Sequence, residues 1–152
     1  MIEITNLSNF ALHNISATIP KGRIVGIVGP DGAGKTTLLR LIAALLTPVK
    51  GNIVVNGFDS VKDAEKIHAI SGYMPQKFGL YEDLTVQQNL DLYADLRGVD
   101  NRKEVFEKLL QFTKLAPFTR RLAKDLSGGM KQKLGLACAL LKKPPLLLLV
   151  LL

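Results

Sequence analysis

The chain has 152 residues, 47% apolar and 22% charged, which excludes a disordered segment and gives enough length for one domain with a single core. Its lone cysteine, Cys138, excludes an internal disulfide and suits a reducing compartment, and the longest apolar run, Leu146 to Leu152, is far too short to span a bilayer. The net charge of +7 is scattered, with short clusters at Arg120-Arg121, Lys131/Lys133 and Lys142-Lys143 and no basic run interleaved with aromatics, so it reads first as a solvated face.

In chain order, Met1 to Phe10 carries Glu3 and no apolar core of a signal peptide. Ile2 to Thr5 and Ile15 to Ile19 alternate like strands, and Pro20-Lys21-Gly22 turns the chain. Arg23 to Val28 is continuously apolar at Ile24, Val25, Ile27 and Val28, which predicts a strand buried on both faces. From Lys35 to Leu46, leucines on nearly every side predict a buried helix stopped by Thr47-Pro48. A short strand is expected within Gly51 to Gly57, a surface helix over Lys62 to His68, and a strand over Ile70 to Met74 ended by Pro75. Thr85 with Gln88 forms a capping box for a helix that carries Val86, Leu90 and Tyr93 on one face and closes at Gly98. Arg102 to Phe112 is a second amphipathic helix. A third begins near Ser127 and runs to Leu141, with Met130, Leu134, Ala137, Cys138 and Leu141 on one side. Cys138 in that stripe reads as packing. Lys142-Lys143-Pro144-Pro145 ends the helix, and Leu146 to Leu149 reads as a final strand. No internal repeat appears, and the pattern favours an α/β domain with an inserted helical lobe.

Between the expected strand and helix lies Gly29-Pro30-Asp31-Gly32-Ala33-Gly34-Lys35-Thr36-Thr37, a phosphate-binding loop of the form G-x-x-x-x-G-K-[ST]. Glycines let successive N–H groups turn toward an anion with no Cβ in the way. The loop ends at a helix N-terminus, whose unpaired N–H groups and dipole also favour negative charge. Lys35 would reach the β- and γ-phosphates, and the Thr36 hydroxyl would hold Mg²⁺. The bland alternative is a glycine-rich turn with a surface lysine, which the flanking strand and helix make the poorer reading. Two further stretches stand out. Tyr73-Met74-Pro75-Gln76 sits at a strand end. Leu126-Ser127-Gly128-Gly129-Met130-Lys131-Gln132 opens a helix, with Ser127 either an ordinary N-cap or part of a second anion site.

A phosphate loop, a glutamine after a strand and LSGG opening a helix, in that order, resemble the ATP-binding subunit of ABC transporters. GYMPQKFGLYEDLTVQQNL and LSGGMKQKLGLACAL are similar in wording to bacterial subunits of the efflux type, and the resemblance covers nearly the whole chain. It implies a P-loop NTPase core sheet with an inserted helical subdomain. Residues 1–83 would form the core, 84–126 the helical subdomain, and 127–152 the signature helix and an incomplete Walker B strand. Gly29 to Thr37 would be the Walker A loop. Gln76 would touch Mg²⁺ and sense a membrane subunit. Leu126, Ser127, Gly128, Gly129 and Met130 would form the signature that caps the γ-phosphate of ATP held by a second subunit in a head-to-tail dimer. Phe78 to Leu92 would face a transmembrane permease. ATP and Mg²⁺ are the implied cofactors, and the implied place is cytoplasmic, peripheral on the inner face of the plasma membrane. On this reading, attraction to ATP or to acidic lipid is the second use of the basic charge.

The chain departs from the family in three places. Met130 stands where the signature usually has glutamine. Near the N-terminus the family places an adenine-stacking aromatic followed by a short hairpin; here Phe10 is the candidate, the hairpin looks shortened, and a core or edge phenylalanine is the alternative reading. After Leu146 to Leu149 the family has Asp and Glu, the first to orient Mg²⁺ and the second to polarise the attacking water. This chain has Val150 and Leu151, no acid after Asp125, and no later histidine; His13 and His68 read as surface residues. No catalytic residue is therefore present, and a truncated or frameshifted copy, or a fragment, that binds ATP phosphates but hydrolyses poorly is expected. Two alternatives are a degenerate non-functional fragment and a soluble ABC-type ATPase acting on nucleic acid or the ribosome. The scattered charge and the lack of sustained heptads speak against the latter, so no nucleic-acid partner is expected.

Overall fold

The computed structural model describes residues 1–151. They form two compact units, Met1–Ser71 and Gly72–Leu152.

In the first unit, strands β1 (Ile2–Asn9) and β2 (Leu12–Ile19) form an antiparallel hairpin, and β1 also pairs antiparallel with β3 (Lys50–Val55). The register sets Ile2 against both Ile19 and Val55, and Ile4 against Ile53. Alternate residues of β1 and β3 thus turn one apolar face inward, where Ile2, Ile4, Leu7, Ile53 and Val55 are buried. Asn56 and Gly57, both at positive φ (49° and 85°), make the two-residue turn into the short strand β4 (Phe58–Asp59). The sheet order is β2-β1-β3-β4. Helix α1 (Lys35–Ile42) buries Leu41 and Ile42, and α2 (Ala64–Ile70) buries Ile67.

Two expectations fail in this unit. Residues 23–28 are not a strand. Ile24 and Val28 are almost fully exposed, and Val25 and Ile27 are exposed as well. A strand apolar on both faces is stabilised only by neighbours on either side, and among the described residues no segment pairs with this one. Helix α1 ends at Ile42 instead of running to Leu46. Ala44 takes a left-handed conformation (φ 56°), its N–H donates to Leu41 O (3.1 Å), and Leu45 N–H donates to Arg40 O (2.9 Å). That is a Schellman closure made without glycine, so the apolar pattern runs on through a helix that the backbone has already stopped.

The second unit is mainly helical. Strands β5 (Ser71–Met74) and β6 (Leu146–Leu149) form a two-stranded sheet. Helices α3 (Val86–Arg97), α4 (Arg102–Thr113) and α5 (Gly128–Leu140) pack Val86, Leu90, Phe106, Leu110, Leu134, Ala137 and Cys138 into one core. The capping box is formed: Thr85 N–H donates to Gln88 Oε1 (2.9 Å), and Gln88 N–H donates to Thr85 Oγ1 (3.1 Å). Gly98 closes α3 at φ 61°. Cys138 is packing, as expected, and burial pushes its thiol up to about 12. Residues 119–124 run beside 82–87, with Ala123 N–H donating to Leu84 O (2.8 Å) and Val86 N–H to Arg121 O (3.0 Å). The approach to Ser127 is thereby fastened to the start of α3.

Candidate functional site

The loop from Gly29 to Thr37 is built around backbone that only glycine adopts cheaply. Gly32 and Gly34 have φ of 77° and 91°. Gly34 is also sterically bound: a Cβ there would lie 2.9 Å from Ala11 O and 2.8 Å from Leu12 Cδ2. Ala33 N–H donates to Pro30 O (3.2 Å), so Pro30 to Ala33, with Asp31 exposed at its outside, is a closed turn. Lys35 folds back over the loop, and its Nζ donates to Gly29 O and Pro30 O at 2.7 Å each. No side chain caps α1 at Gly34, and the first helical hydrogen bond is Leu38 N–H to Gly34 O (2.9 Å). The N–H groups of Lys35, Thr36 and Thr37 are left as donors at the positive end of the helix.

This donor set fits a polyphosphate: backbone N–H groups, one ammonium and no acid but the exposed Asp31. It fits Mg²⁺ only with the nucleotide. Among the described residues no cluster of His, Cys, Asp or Glu could hold a metal, so the ion would take phosphate oxygens, water and the half-buried Thr36 hydroxyl.

Phe10 lies at the tip of the β1–β2 hairpin, where Asn9 pairs with Leu12 across a two-residue turn. It is 79% exposed, which removes the core reading. Its neighbours in that turn, Ala11 and Leu12, are the residues that press on Gly34. The exposed ring thus sits on the hairpin whose next two residues touch the loop at Gly34. The hairpin is tight at its tip, but its strands are eight residues each, longer than the sequence suggested.

In the second unit, Gln76 is exposed in a turn just after β5 and Pro75. Leu126 is buried and anchors the signature; Ser127, Gly128 and Gly129 are exposed. Ser127 Oγ accepts from Met130 N–H (3.2 Å), a true N-cap for α5. A Cβ on Gly128 or Gly129 would meet nothing within 4 Å. Two glycines at a helix start cost stability, and no packing inside this chain requires them. Their absent side chains instead leave the α5 N-terminus open to close approach from outside. Met130, at the usual glutamine position, rests on the apolar core.

Val150 and Leu151 lie just beyond the end of β6. Val150 N–H donates to Met74 O (3.0 Å), continuing the pairing of β6 with β5, and its side chain is buried; Leu151 is exposed. His13 and His68 are exposed, and His68 Nε2 lies 3.2 Å from Ala44 O at the end of α1.

Sequence reasoning missed Asn89. It is fully buried, its Oδ1 accepts from Tyr81 N–H (2.9 Å), and its Nδ2 lies within reach of the carbonyls of Tyr81, Leu84 and Thr85 (3.0, 3.3 and 3.0 Å). It thus fixes the 81–85 loop. The available signal was position: Asn89 is three residues after Val86 and one before Leu90, on the apolar face.

Residues 12–149 match the ABC transporter family, and the chain belongs to that family. It is 60% identical over 141 residues to the probable multidrug ABC transporter ATP-binding protein YbhF of Escherichia coli (strain K12), covering 91% of this chain and 24% of that protein. It is 40% identical over 142 residues to the ABC transporter ATP-binding protein NatA of Bacillus subtilis (strain 168), covering 91% of this chain and 57% of that one. The chain therefore spans about a quarter of the first relative and over half of the second. Among solved structures it resembles the dimeric structure of MJ0796, a bacterial ABC transporter cassette, with a TM-score of 0.87 and 27% identity, covering 98% of this chain and 73% of that one. A second structure of that cassette, in a post-hydrolysis state bound to ADP and Pi, gives a TM-score of 0.86. The fold is that of the ABC ATPase cassette, a P-loop NTPase. No helix among the described residues is long and apolar enough to cross a membrane.

Proposed function

We propose that this chain binds the phosphates of ATP·Mg²⁺ at Gly29 to Thr37 and contributes Ser127, Gly128 and Gly129 to ATP held by a second copy or a paralogous subunit. The observation that carries this reading is the pair of helix starts: α1 begins uncapped beside Lys35, and α5 begins with two glycines that touch nothing in their own chain. Two half-sites on one chain suit the head-to-tail arrangement that the family resemblance implies. Phe10 would stack on the base, and Thr36 and Gln76 would serve the metal. The transport step would be export, as the multidrug relative suggests, through a transmembrane permease, with the chain on the cytoplasmic face of the plasma membrane.

The same reading limits turnover. Phosphoryl transfer depends on placing the metal and the attacking water. The positions that would supply the two acids hold Val150 and Leu151, and Val150 is buried in an apolar setting. The chain would bind nucleotide and hydrolyse it poorly or not at all.

Titration of the purified chain with ATP and Mg²⁺ tests both statements. Wild type should bind, and Lys35→Ala should weaken binding by about 10- to 100-fold, the worth of a hydrogen bond from a charged donor. Phosphate release should equal background in both. Unchanged affinity in Lys35→Ala would remove the loop from the site. Mg²⁺-dependent turnover that Lys35→Ala abolishes would refute the claim that Val150 and Leu151 silence the chain. Unchanged affinity in Phe10→Ala would return Phe10 to an ordinary surface residue.

A further inference from the structure

Gln76 stands in a turn that its own residues do not hold easily. Phe78 N–H donates to Pro75 O (2.9 Å) and Gly79 N–H to Lys77 O (2.8 Å), so the chain reverses twice within five residues. Phe78 has a φ of 62° and Gly79 one of 64°. The left-handed region is disfavoured for a residue with a Cβ and a ring, so contacts from elsewhere must maintain this shape.

Two such contacts exist, from two different helices of the same unit. The first is from α5. A Cβ on Gly135 would lie 3.2 Å from both Phe78 Cβ and Phe78 O, and 3.3 Å from Met74 Sδ. Gly135 is buried in the middle of α5, where glycine is the poorest choice apart from proline, and the approach of Phe78 is the close contact that its missing side chain accommodates. The second is from α3. The Tyr93 hydroxyl donates to Gly79 O. Burial, with Cys138 and Tyr81 nearby, raises the Tyr93 phenol pKa, so the group remains a donor through the neutral range.

We propose that Tyr93 and Gly135 are positioning residues for Gln76: together they seat the Pro75 to Gly79 turn in a notch on α5 and so set where the Gln76 side chain is presented. The notch lies eight residues beyond Ser127, about 12 Å along the same helix axis. The Gln76 turn and the Ser127 cap therefore share one rigid rod, and a shift of α5 moves both. The consequence for nucleotide rests on the proposed reading of Gln76 as a group that serves the metal of bound ATP.

The test uses the full chain with Tyr93→Phe, which removes one oxygen and keeps the ring, Gly135→Ala, which improves helix propensity while narrowing the notch, and Gln76→Ala. Amide exchange of Phe78 and Gly79 reads the seating directly. ATP affinity with Mg²⁺ against affinity in EDTA reads the use of Gln76. Faster exchange is expected in Tyr93→Phe and Gly135→Ala, with unfolding midpoints near wild type. The Mg²⁺ enhancement should fall by about three- to tenfold in Tyr93→Phe, the scale of one hydrogen bond, while affinity in EDTA stays the same. The fall should not add to that of Gln76→Ala in the double variant. Unchanged exchange in both single variants overturns the proposal. So does a Mg²⁺ enhancement that Gln76→Ala removes and Tyr93→Phe leaves intact. If Gln76→Ala itself leaves the enhancement intact, the reading of Gln76 as a metal-serving group fails, and the exchange result alone decides whether the turn is seated by Tyr93 and Gly135.

Discussion

The starts of α1 and α5 solve the same problem in opposite ways. Each helix begins with N–H groups that have no helical carbonyl to bond. α5 caps itself, because Ser127 Oγ accepts from Met130 N–H, and its two exposed glycines then lie on a helix that is complete without a ligand. α1 has no side-chain cap, and its shape is imposed by a left-handed Gly34 wedged against Ala11 and Leu12. The difference teaches where each of the two proposed half-sites draws its order. The α5 site is ordered by its own helix and by the core beneath it. The start of α1 is ordered by the Gly34 backbone, by the Pro30–Ala33 turn and by the Lys35 ammonium folded onto Gly29 O and Pro30 O, and its first N–H groups stay without a cap.

The unit carrying α5 should fail only when its core or its buried polar hub is attacked, and Asn89 is the sharpest place to do so. Asn89→Ala leaves the Tyr81 N–H without its acceptor and removes the amide contacts to the carbonyls of Tyr81, Leu84 and Thr85, each of which keeps a backbone donor (Leu84, Ala123 and residue 89 N–H). A loss of about 2–3 kcal/mol is expected, the cost of one uncompensated buried donor together with the lost amide hydrogen bonds. Urea unfolding would report it as a lower midpoint with an unchanged slope. A loss below 1 kcal/mol would mean that water satisfies the Tyr81 N–H and that the 81–85 loop is held by the capping box and its pairing with residues 119–124.

In the other unit the corresponding weak point is one glycine. Gly34→Ala puts a Cβ against Ala11 O and forces alanine to a φ of 91°. About 2 kcal/mol of strain follows, which the loop relieves by moving. Phosphate binding should fall well over tenfold in a titration, while the core of the Gly72–Leu152 unit, read by exchange of α5 amides, stays as it was. Equal loss in both units would erase the contrast drawn here.

How much of this was legible depends on how local each feature is. The Thr85–Gln88 box and the Ser127 cap are spelled within a few residues, and both take the expected local form; the helix after the glycine loop also starts at Lys35, without the strand expected before it. Residues 23–28 are not local in that sense. Their apolar run encodes a strand only in company, and no described segment pairs with them. The end of α1 was hidden for another reason: its left-handed residue is Ala44, while the end of α3 was marked by Gly98. The β3–β4 turn was legible but overlooked, since Asn56-Gly57 is a strong two-residue hairpin signal. Asn89 was visible as a polar residue on an apolar face, but its four partners lie in a loop whose path the sequence does not show.

Ser127→Ala probes the self-capping of α5 more gently. It removes the acceptor for Met130 N–H and should cost about 1 kcal/mol, seen as faster exchange at Met130. Gly34 has no cap to lose, so no equivalent experiment exists for α1. If Ser127→Ala left Met130 exchange unchanged, α5 would be ordered by packing alone, and its independence from ligand would rest on Leu126 and Leu134.

The smallest effect concerns the far ends of the same helices' neighbourhoods, and it has the opposite sign. α1 and α3 close with the same hydrogen-bond pattern, Leu45 N–H to Arg40 O and Val99 N–H to Ala94 O, but the left-handed residue is alanine in one and glycine in the other. Alanine there costs about 1–2 kcal/mol of backbone strain, and glycine recovers it while losing part to the greater entropy of its unfolded chain. Ala44→Gly should therefore stabilise the protein by about 0.5–1 kcal/mol, and Lys114→Gly, at the end of α4 with a φ of 59°, should do the same. The gain from Ala44→Gly should appear with no change in ATP affinity, because it lies at the opposite end of α1 from Lys35. A change in affinity would show that the length of α1 is coupled to the phosphate loop, and that the order of that half-site comes from both ends of its helix.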